Sequence, residues 1–487
     1  MKQNHWNCHC GITRREAIRR AGAGFGILAL ADLLGSDGLL TRSAFGADSK
    51  NPLAPKAPHF PAKAKHVIWL FINGGPSQVD TWDYKPELIK RDGVKLDNFD
   101  KNTGFFANAV GPLMKSPFSF KQYGQSGTWA SELFPHLSQH VDKMSFIHSL
   151  YGESNNHSPA LFMMNTGVMR MGFPCVGSWA TYGLGTENRN LPAFVVMSDP
   201  LGRGLPKGSA CNWGSGFLPG VYQGTYLRPT GKPINNLDRP MEMTDAEQRA
   251  QLDLMAKLSK EHLPPAVRDE MESRIESFEL AYRMQVEAPE VFDLDKEPDH
   301  IKKLYGLDLK HCTHFAKQCL IARRMIEKGV RFVQIYSGGM DNQLSWDGHA
   351  DIKGNHSGFA METDQPIAAL LEDLAARGLL KDTLVIWGGE FGRLPIGQID
   401  NPKPGRDHNP HTNTVWMAGG GVKGGFHYGE SDEIGFKAAV NKVTINDFHA
   451  TILHLLGFDH EKLTYRYAGR DFRLTDVAGN VIKEIIA

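Results

Sequence analysis

Short apolar runs alternate along this chain with segments of helical period. The runs cover residues 66–72, 144–150, 193–197, 332–336, 384–387 and 414–418. Each is rich in Val, Ile, Leu or aromatic residues and ends in glycine or a polar cluster, the pattern of a buried strand. Between them lie segments of helical period at 245–257, 266–286, 313–328, 364–376 and 445–456. Strands alternating with helices predict an α/β sandwich with a mainly parallel central sheet and helices on both faces. Residues from about 200 to 310 break the rhythm. They begin rich in glycine and proline and then become charged and helical, which predicts an insertion or cap on the sheet.

The first residues follow a different logic. Thr13-Arg14-Arg15-Glu16-Ala17-Ile18 is followed by Arg19 and Arg20, then by an apolar run over 21–34 diluted by glycines and Asp32. That run is too short for a membrane span, which needs about 20 apolar residues. With the small residues at Ala44-Phe45-Gly46, it predicts a twin-arginine signal peptide over 1–46. The expected partner is the Tat translocase, and the expected location is periplasmic or secreted. Prolines 52, 55, 58 and 61 then space an extended linker over 47–65. The remaining 66–487 read as one elaborated domain, and no later stretch could cross a bilayer.

Composition adds bounds. The chain has 487 residues, 41% of them hydrophobic, enough for a large core. Lys+Arg and Asp+Glu balance at 54 each, which gives no reason to expect nucleic acid or an anionic membrane as partner. Cys8 and Cys10 fall in the signal segment. Cys312 and Cys319 lie about two helical turns apart, roughly 10 Å along the axis, too far for a disulfide. The four mature cysteines are expected as free thiols.

In open α/β sheets, function gathers beyond the carboxyl ends of the strands. Polar clusters stand at those places. Asn73-Gly74-Gly75-Pro76-Ser77 leads to Asp80, and Asn156-His157-Ser158 leads to Asn165-Thr166-Gly167. Asp341 precedes Trp346-Asp347-Gly348-His349. Gly389-Glu390-Phe391-Gly392-Arg393 and Gly405-Arg406-Asp407-His408 follow. Carboxylates and imidazoles converging from separate strand ends form mixed O/N ligand sets. These suit zinc or manganese, whereas magnesium and calcium prefer carboxylates alone.

At these clusters the sequence resembles the domain-of-unknown-function 1501 family, exported bacterial proteins placed in the alkaline phosphatase and sulfatase superfamily. The resemblance rests on Gly74-Gly75-Pro76-Ser77 with Asp80, Asn156-His157 with Pro159-Ala160, and Trp346-Asp347 with His349. It continues through Gly389 to Arg393, Gly405 to His408, the glycine-rich turn from Ala418 to Gly425, and the ending from Asp447 to Asp476. It implies an alkaline phosphatase-like sandwich in which divalent metal binds at the strand ends. The implied metal ligands are Asp80, Asp347, His349, Glu390, Asp407 and His408, with Asp341, Asp351 and His356 as alternatives. Counting back from Thr166-Gly167 puts His157 at the nucleophile position, where a ligand or base role ranks first; Ser158 and Ser154 are the nearest hydroxyls, and His157 and Ser158 are the candidate catalytic residues. Arg393 and Arg406 are expected to bind the anion. Asn73 and Phe391 depart from the superfamily pattern, standing where a metal aspartate and a histidine are usual.

Three functions follow from this. The first is an exported metal-dependent hydrolase of phosphate or sulfate esters, its substrate a small molecule or a carbohydrate ester. The second is an exported binding or assembly protein that keeps the fold and has lost turnover. The third is a hydrolase of different chemistry built on a single metal.

Overall fold

The computed structural model describes residues 51–487 apart from 98, 229–232, 235–236, 263–264 and 341. The twin-arginine segment, with Arg14 and Arg15, and Asp341 lie outside the described residues. The first thirteen strands are β1 (His66–Ile72), β2 (Val110–Leu113), β3 (Phe120–Tyr123), β4 (Thr128–Ser131), β5 (Met144–Tyr151), β6 (Phe194–Met197) and β7 (Thr225–Leu227), then β8 (Phe332–Ser337), β9 (Thr383–Gly388), β10 (Gly392–Gln398), β11 (Gly405–Asn409), β12 (Asn413–Ala418) and β13 (Phe426–Tyr428).

A nine-stranded sheet runs in the order β13, β5, β12, β9, β1, β8, β6, β7, with Val443–Thr444 added beside β5. β1 lies at the centre, parallel to both β8 and β9. β12 runs antiparallel to β5 and β9, against an otherwise parallel set. The mainly parallel sheet expected from the pattern is therefore present.

Strand alternation divides the core in two. Ile68, Leu70 and Ile72 join one apolar cluster with Val333, Ile335, Val385 and Trp387. Helices Thr313–Glu327 and Ile352–Ala376 cover that face. Val67, Trp69 and Phe71 point the other way, with Leu384, Ile386 and Val415, under helices Val176–Leu184 and Ile445–Leu455. Because successive side chains leave a strand on opposite faces, one apolar run supplies both cores. Burying a Val, Leu, Ile or Phe side chain contributes about 1.5–3 kcal/mol, and every residue of β1 from Val67 to Ile72 is buried.

Within 200–310, β7 forms the sheet edge beside β6. Helix Pro265–Phe292 adds Met284, Ala288 and Val291 to the first core. Cys175, Cys211, Cys312 and Cys319 are free thiols, with Cys211 alone exposed among them. Among the described residues, no helix is long and apolar enough to cross a membrane.

Residues 389–411 carry no strand pattern in the sequence. They form a hairpin instead: β10 pairs antiparallel with β11 and, on its other side, with β2. This three-stranded sheet holds Arg393, Arg406 and His408 rigidly near the carboxyl end of β9.

Candidate metal centre

Five segments converge at the carboxyl edge of the sheet. Asp347 follows β8, Glu390 follows β9 and Gly74 follows β1. His157 opens the helix His157–Thr166, whose N-cap is Asn156; the Asn156 side chain accepts the Ser158 N–H at 3.2 Å. His408 sits on β11 and His349 two residues beyond Asp347. The side chains of Asp347, Glu390, His157, His349 and His408 are all buried.

Asp347 is the hub. Its Oδ1 lies 2.6 Å from Arg393 Nη2, 2.9 Å from His349 Nε2 and 3.1 Å from His408 Nε2. Its Oδ2 accepts the backbone N–H of Asn342 at 2.7 Å. Burial works against charge here, but Arg393 and the three neighbouring imidazoles hold the carboxyl well below the usual carboxylate range.

Each histidine has its Nδ1 held by an acceptor. His157 Nδ1 meets Glu390 Oε1 at 2.7 Å. His349 Nδ1 meets Gln398 Oε1 at 2.8 Å, and the other end of that amide donates to Asp400 Oδ2 at 3.2 Å, which fixes its orientation. His408 Nδ1 meets the backbone oxygen of Asn155 at 2.6 Å. Carbonyls and carboxylates only accept, so the three Nδ1 atoms donate. In the neutral rings the three Nε2 atoms then present lone pairs, and these gather at Asp347. The Nε2 atoms of His349 and His408 are 2.8 Å apart. His157 Nε2 lies 3.1 Å from Asp347 Oδ2 without hydrogen-bond alignment, so this buried nitrogen has no hydrogen-bond partner.

Lone pairs packed this closely repel unless a cation sits among them, either protons or a metal ion. The pattern is that of metal-binding histidines, which donate their second ring N–H to an outer acceptor. His157, Asp347 and His408 can bring donor atoms within 4.8 Å of one another, and so can His349, Asp407 and His408. The residues present therefore fit a divalent cation. Burial opposes charge on His157, yet Asp347 and Glu390 together raise its pKa. For His408, burial and then the charge of His157 push the pKa well below the ordinary value.

The other expected site residues stand as follows. Asp407 is adjacent; its Oδ1 accepts the His408 N–H and its Oδ2 the Phe106 N–H, both at 2.7 Å. Asp80 is not in the cluster. Its Oδ2 lies 2.6 Å from Arg406 Nε and accepts the Ser77 hydroxyl at 2.6 Å. Arg406, expected at an anion site, is fully buried and also donates to the carbonyls of Leu394 and Met114. Arg393 is likewise fully buried, donating to the carbonyls of Gly74, Gly75 and Arg406 as well as to Asp347. Each guanidinium thus pairs with a buried carboxylate, Arg393 with Asp347 and Arg406 with Asp80, as a buried charge requires. Ser158 is half-buried in the first helical turn; among the described residues, no hydrogen bond links its hydroxyl to Asp347, Glu390 or the histidines. His356 accepts the Ser77 N–H at 2.9 Å, and burial takes its pKa to about 3. Asp351 caps a helix and pairs with Lys403.

Gly74 shows how tight the centre is. Its N–H donates to the Glu390 carboxylate at 3.0 Å, and its φ is 104°. A Cβ there would meet the Asp347 nitrogen at 2.6 Å. Gln398 and Asn155, which orient two of the histidines, were not singled out from sequence; neither belongs to a ligand-type spacing. Phe105 and Phe106 were also missed. They are 50% and 38% exposed, and their rings lie 5.7 Å from His408 and 4.8 Å from His349. Two adjacent phenylalanines in a Gly/Asn loop were the available signal.

The family described as Protein of unknown function (DUF1501) matches residues 64–486. No curated protein matches the sequence. Among solved structures, PsFucS1 sulfatase from Pseudoalteromonas sp. is similar at 11% identity and a TM-score of 0.34, covering 82% of this chain and 68% of that one. The phosphonate monoester hydrolase SpPMH from Silicibacter pomeroyi is similar at 11% identity and a TM-score of 0.33, covering 82% and 73%. The alkaline phosphatase from the Antarctic bacterium TAB5 gives 10% identity and a TM-score of 0.30, covering 74% and 92%. Likeness at this level is loose, and a reading of function rests on this chain's own residues.

Proposed function

The chain belongs to the DUF1501 family, and we propose that it is an exported, metal-dependent hydrolase of phosphate or sulfate esters. One observation carries the reading: three histidines with Nδ1 held outward aim their Nε2 atoms at one carboxylate. His157, His349, His408 and Asp347 would hold a divalent cation, with Asp407 beside them. Three imidazoles favour zinc or manganese over magnesium or calcium. A bound divalent cation would supply Lewis-acid polarisation of the ester oxygens.

The protein's own groups do the rest. Glu390 holds the His157 proton at Nδ1, Arg393 fixes Asp347, and Phe105 and Phe106 shield the buried cluster from water. Ser158 is the candidate nucleophile, and Ser158→Ala tests it by model-ester turnover at unchanged metal content. The whole reading is tested by elemental analysis of natively exported protein together with a panel of phosphate and sulfate esters. Bound metal with turnover supports it; metal-free, inert protein refutes it.

A second reading, an exported binding or assembly protein without turnover, draws on Arg393. That guanidinium lies 2.6 Å from Asp347 and already offsets part of its charge. Export itself is read from Arg14 and Arg15, with the Tat translocase as transient partner and the periplasm or medium as destination. Replacing both with Lys should strand the precursor in the cytoplasm, and normal export of that double variant would refute the Tat route.

A further inference from the structure

A cleft of about 710 Å³ is lined by residues of the 96–103 and 432–442 segments with Tyr151 and His411. Thr103 forms part of its wall. The carbonyls of Thr103 and Gly104 accept from Asn155 Nδ2 at 3.2 and 2.8 Å. The backbone oxygen of the same Asn155 accepts the His408 Nδ1–H. Through Asn155, Thr103 in the cleft wall is thus two hydrogen bonds from His408, and the neighbouring Phe105 and Phe106 rings lie against His408 and His349.

The lining is mixed in a particular way. Phe99 and Phe436 contribute rings 5.6 Å apart at 61°, and Tyr151 contributes a third. The lining also brings two carboxylates, Asp97 and Asp100, the latter accepting the Asn102 N–H through Oδ1 at 2.9 Å, and two ammonium groups, Lys437 and Lys442. Asp432 also lines the cleft, but its carboxylate is committed to the backbone N–H groups of Ile434 and Phe436 at 3.3 and 2.7 Å. Three carboxylates against two ammonium groups leave the lining close to balanced, with no strong field for a polyanion or a polycation. They do offer separate donors and acceptors around apolar ring faces. That combination matches a polyol with apolar C–H faces, whose hydroxyls both donate and accept.

We infer that this cleft binds the sugar portion of an oligosaccharide substrate. The inference rests on the reading that the neighbouring cluster hydrolyses an ester carried by that sugar. The ester end then approaches the cluster across residues 103–106.

The test is calorimetric titration of the full exported protein with cellohexaose, chitohexaose and mannohexaose. At least one should bind saturably. Phe436→Ala should weaken that binding about tenfold or more, whereas Phe436→Trp should retain it. Because Phe436 packs against the small apolar cluster around Ile434, Lys437→Ala in the lining gives a second variant that leaves packing intact; it should weaken binding too. His408→Asn should lose metal and keep the hexaose. Hexaose binding without metal or turnover would overturn the hydrolase reading and leave the cleft standing. No saturable binding of any of the three, or binding unchanged in both Phe436→Ala and Lys437→Ala, would overturn the cleft proposal.

Discussion

The Nε2 atoms of His349 and His408 face each other at 2.8 Å, while the Nδ1 of each ring is held by a protein acceptor. A pair of neutral rings so held has no proton to place between those nitrogens. The outer acceptors therefore set the affinity of the centre. Gln398→Leu removes the acceptor from His349 without touching a ligand and should weaken metal binding about 10–100-fold. Competition with a chromogenic chelator measures it. An unchanged affinity would mean that His349 is not a ligand.

The pair Asp80 and Arg406 predicts an acid limb in stability. Burial opposes charge on Asp80, but Arg406 with the Ser77 hydroxyl lowers its pKa below the ordinary value. The folded pKa thus lies below the unfolded one. The ionised form is favoured by folding, so this stabilisation is present above about pH 4 and is lost as pH falls through the folded pKa. Urea unfolding of Asp80→Asn across that window should show a shallower decline than the parent.

The same pair predicts non-additivity. Arg406→Met alone leaves a buried carboxylate uncompensated and should cost about 3–5 kcal/mol. Adding Asp80→Asn should recover a large part of that loss. Equal, additive losses would mean the two side chains do not depend on each other.

Gly74→Ala tests the packing around Glu390. The substituted residue would hold φ at 104° with its Cβ 2.6 Å from the Asp347 nitrogen. Strain of this kind costs about 1–3 kcal/mol, and the clash adds to it. Both Tm and metal content should fall, because the Gly74 N–H anchors Glu390 and Asp347 is pushed directly.

The sheet was legible because its strands are buried on both faces and read as unbroken apolar runs; β1 matches the expected residues 66–72. Helix Ile352–Ala376 was expected only from 364. Gly354, Gly358 and Pro366 interrupt its pattern, and its cap, Asp351, takes a φ of 45°. The hairpin of β10 and β11 was not expected, since Gly392-Arg393-Leu394-Pro395-Ile396-Gly397 carries no strand period although every residue is buried. At the site, the clustering of Asp347, Glu390, His157, His349 and His408 followed from strand-end placement. The partners of Asp80, Arg393 and Arg406 did not, because residue type shows a charge but not what it pairs with. Asp80 and Arg406 are 326 positions apart in the chain.

The central claim is that these histidines and Asp347 hold a divalent metal ion. The direct measurement is elemental analysis of natively exported protein beside its His408→Asn and Glu390→Gln variants, each with its Tm. The account predicts about one zinc- or manganese-type ion per chain in the parent. It predicts loss of that ion in His408→Asn, a weakened site in Glu390→Gln, and folded protein in every case. Parent protein without metal, or an identical metal content in all three, would contradict it and leave the cluster as an ion-pair network.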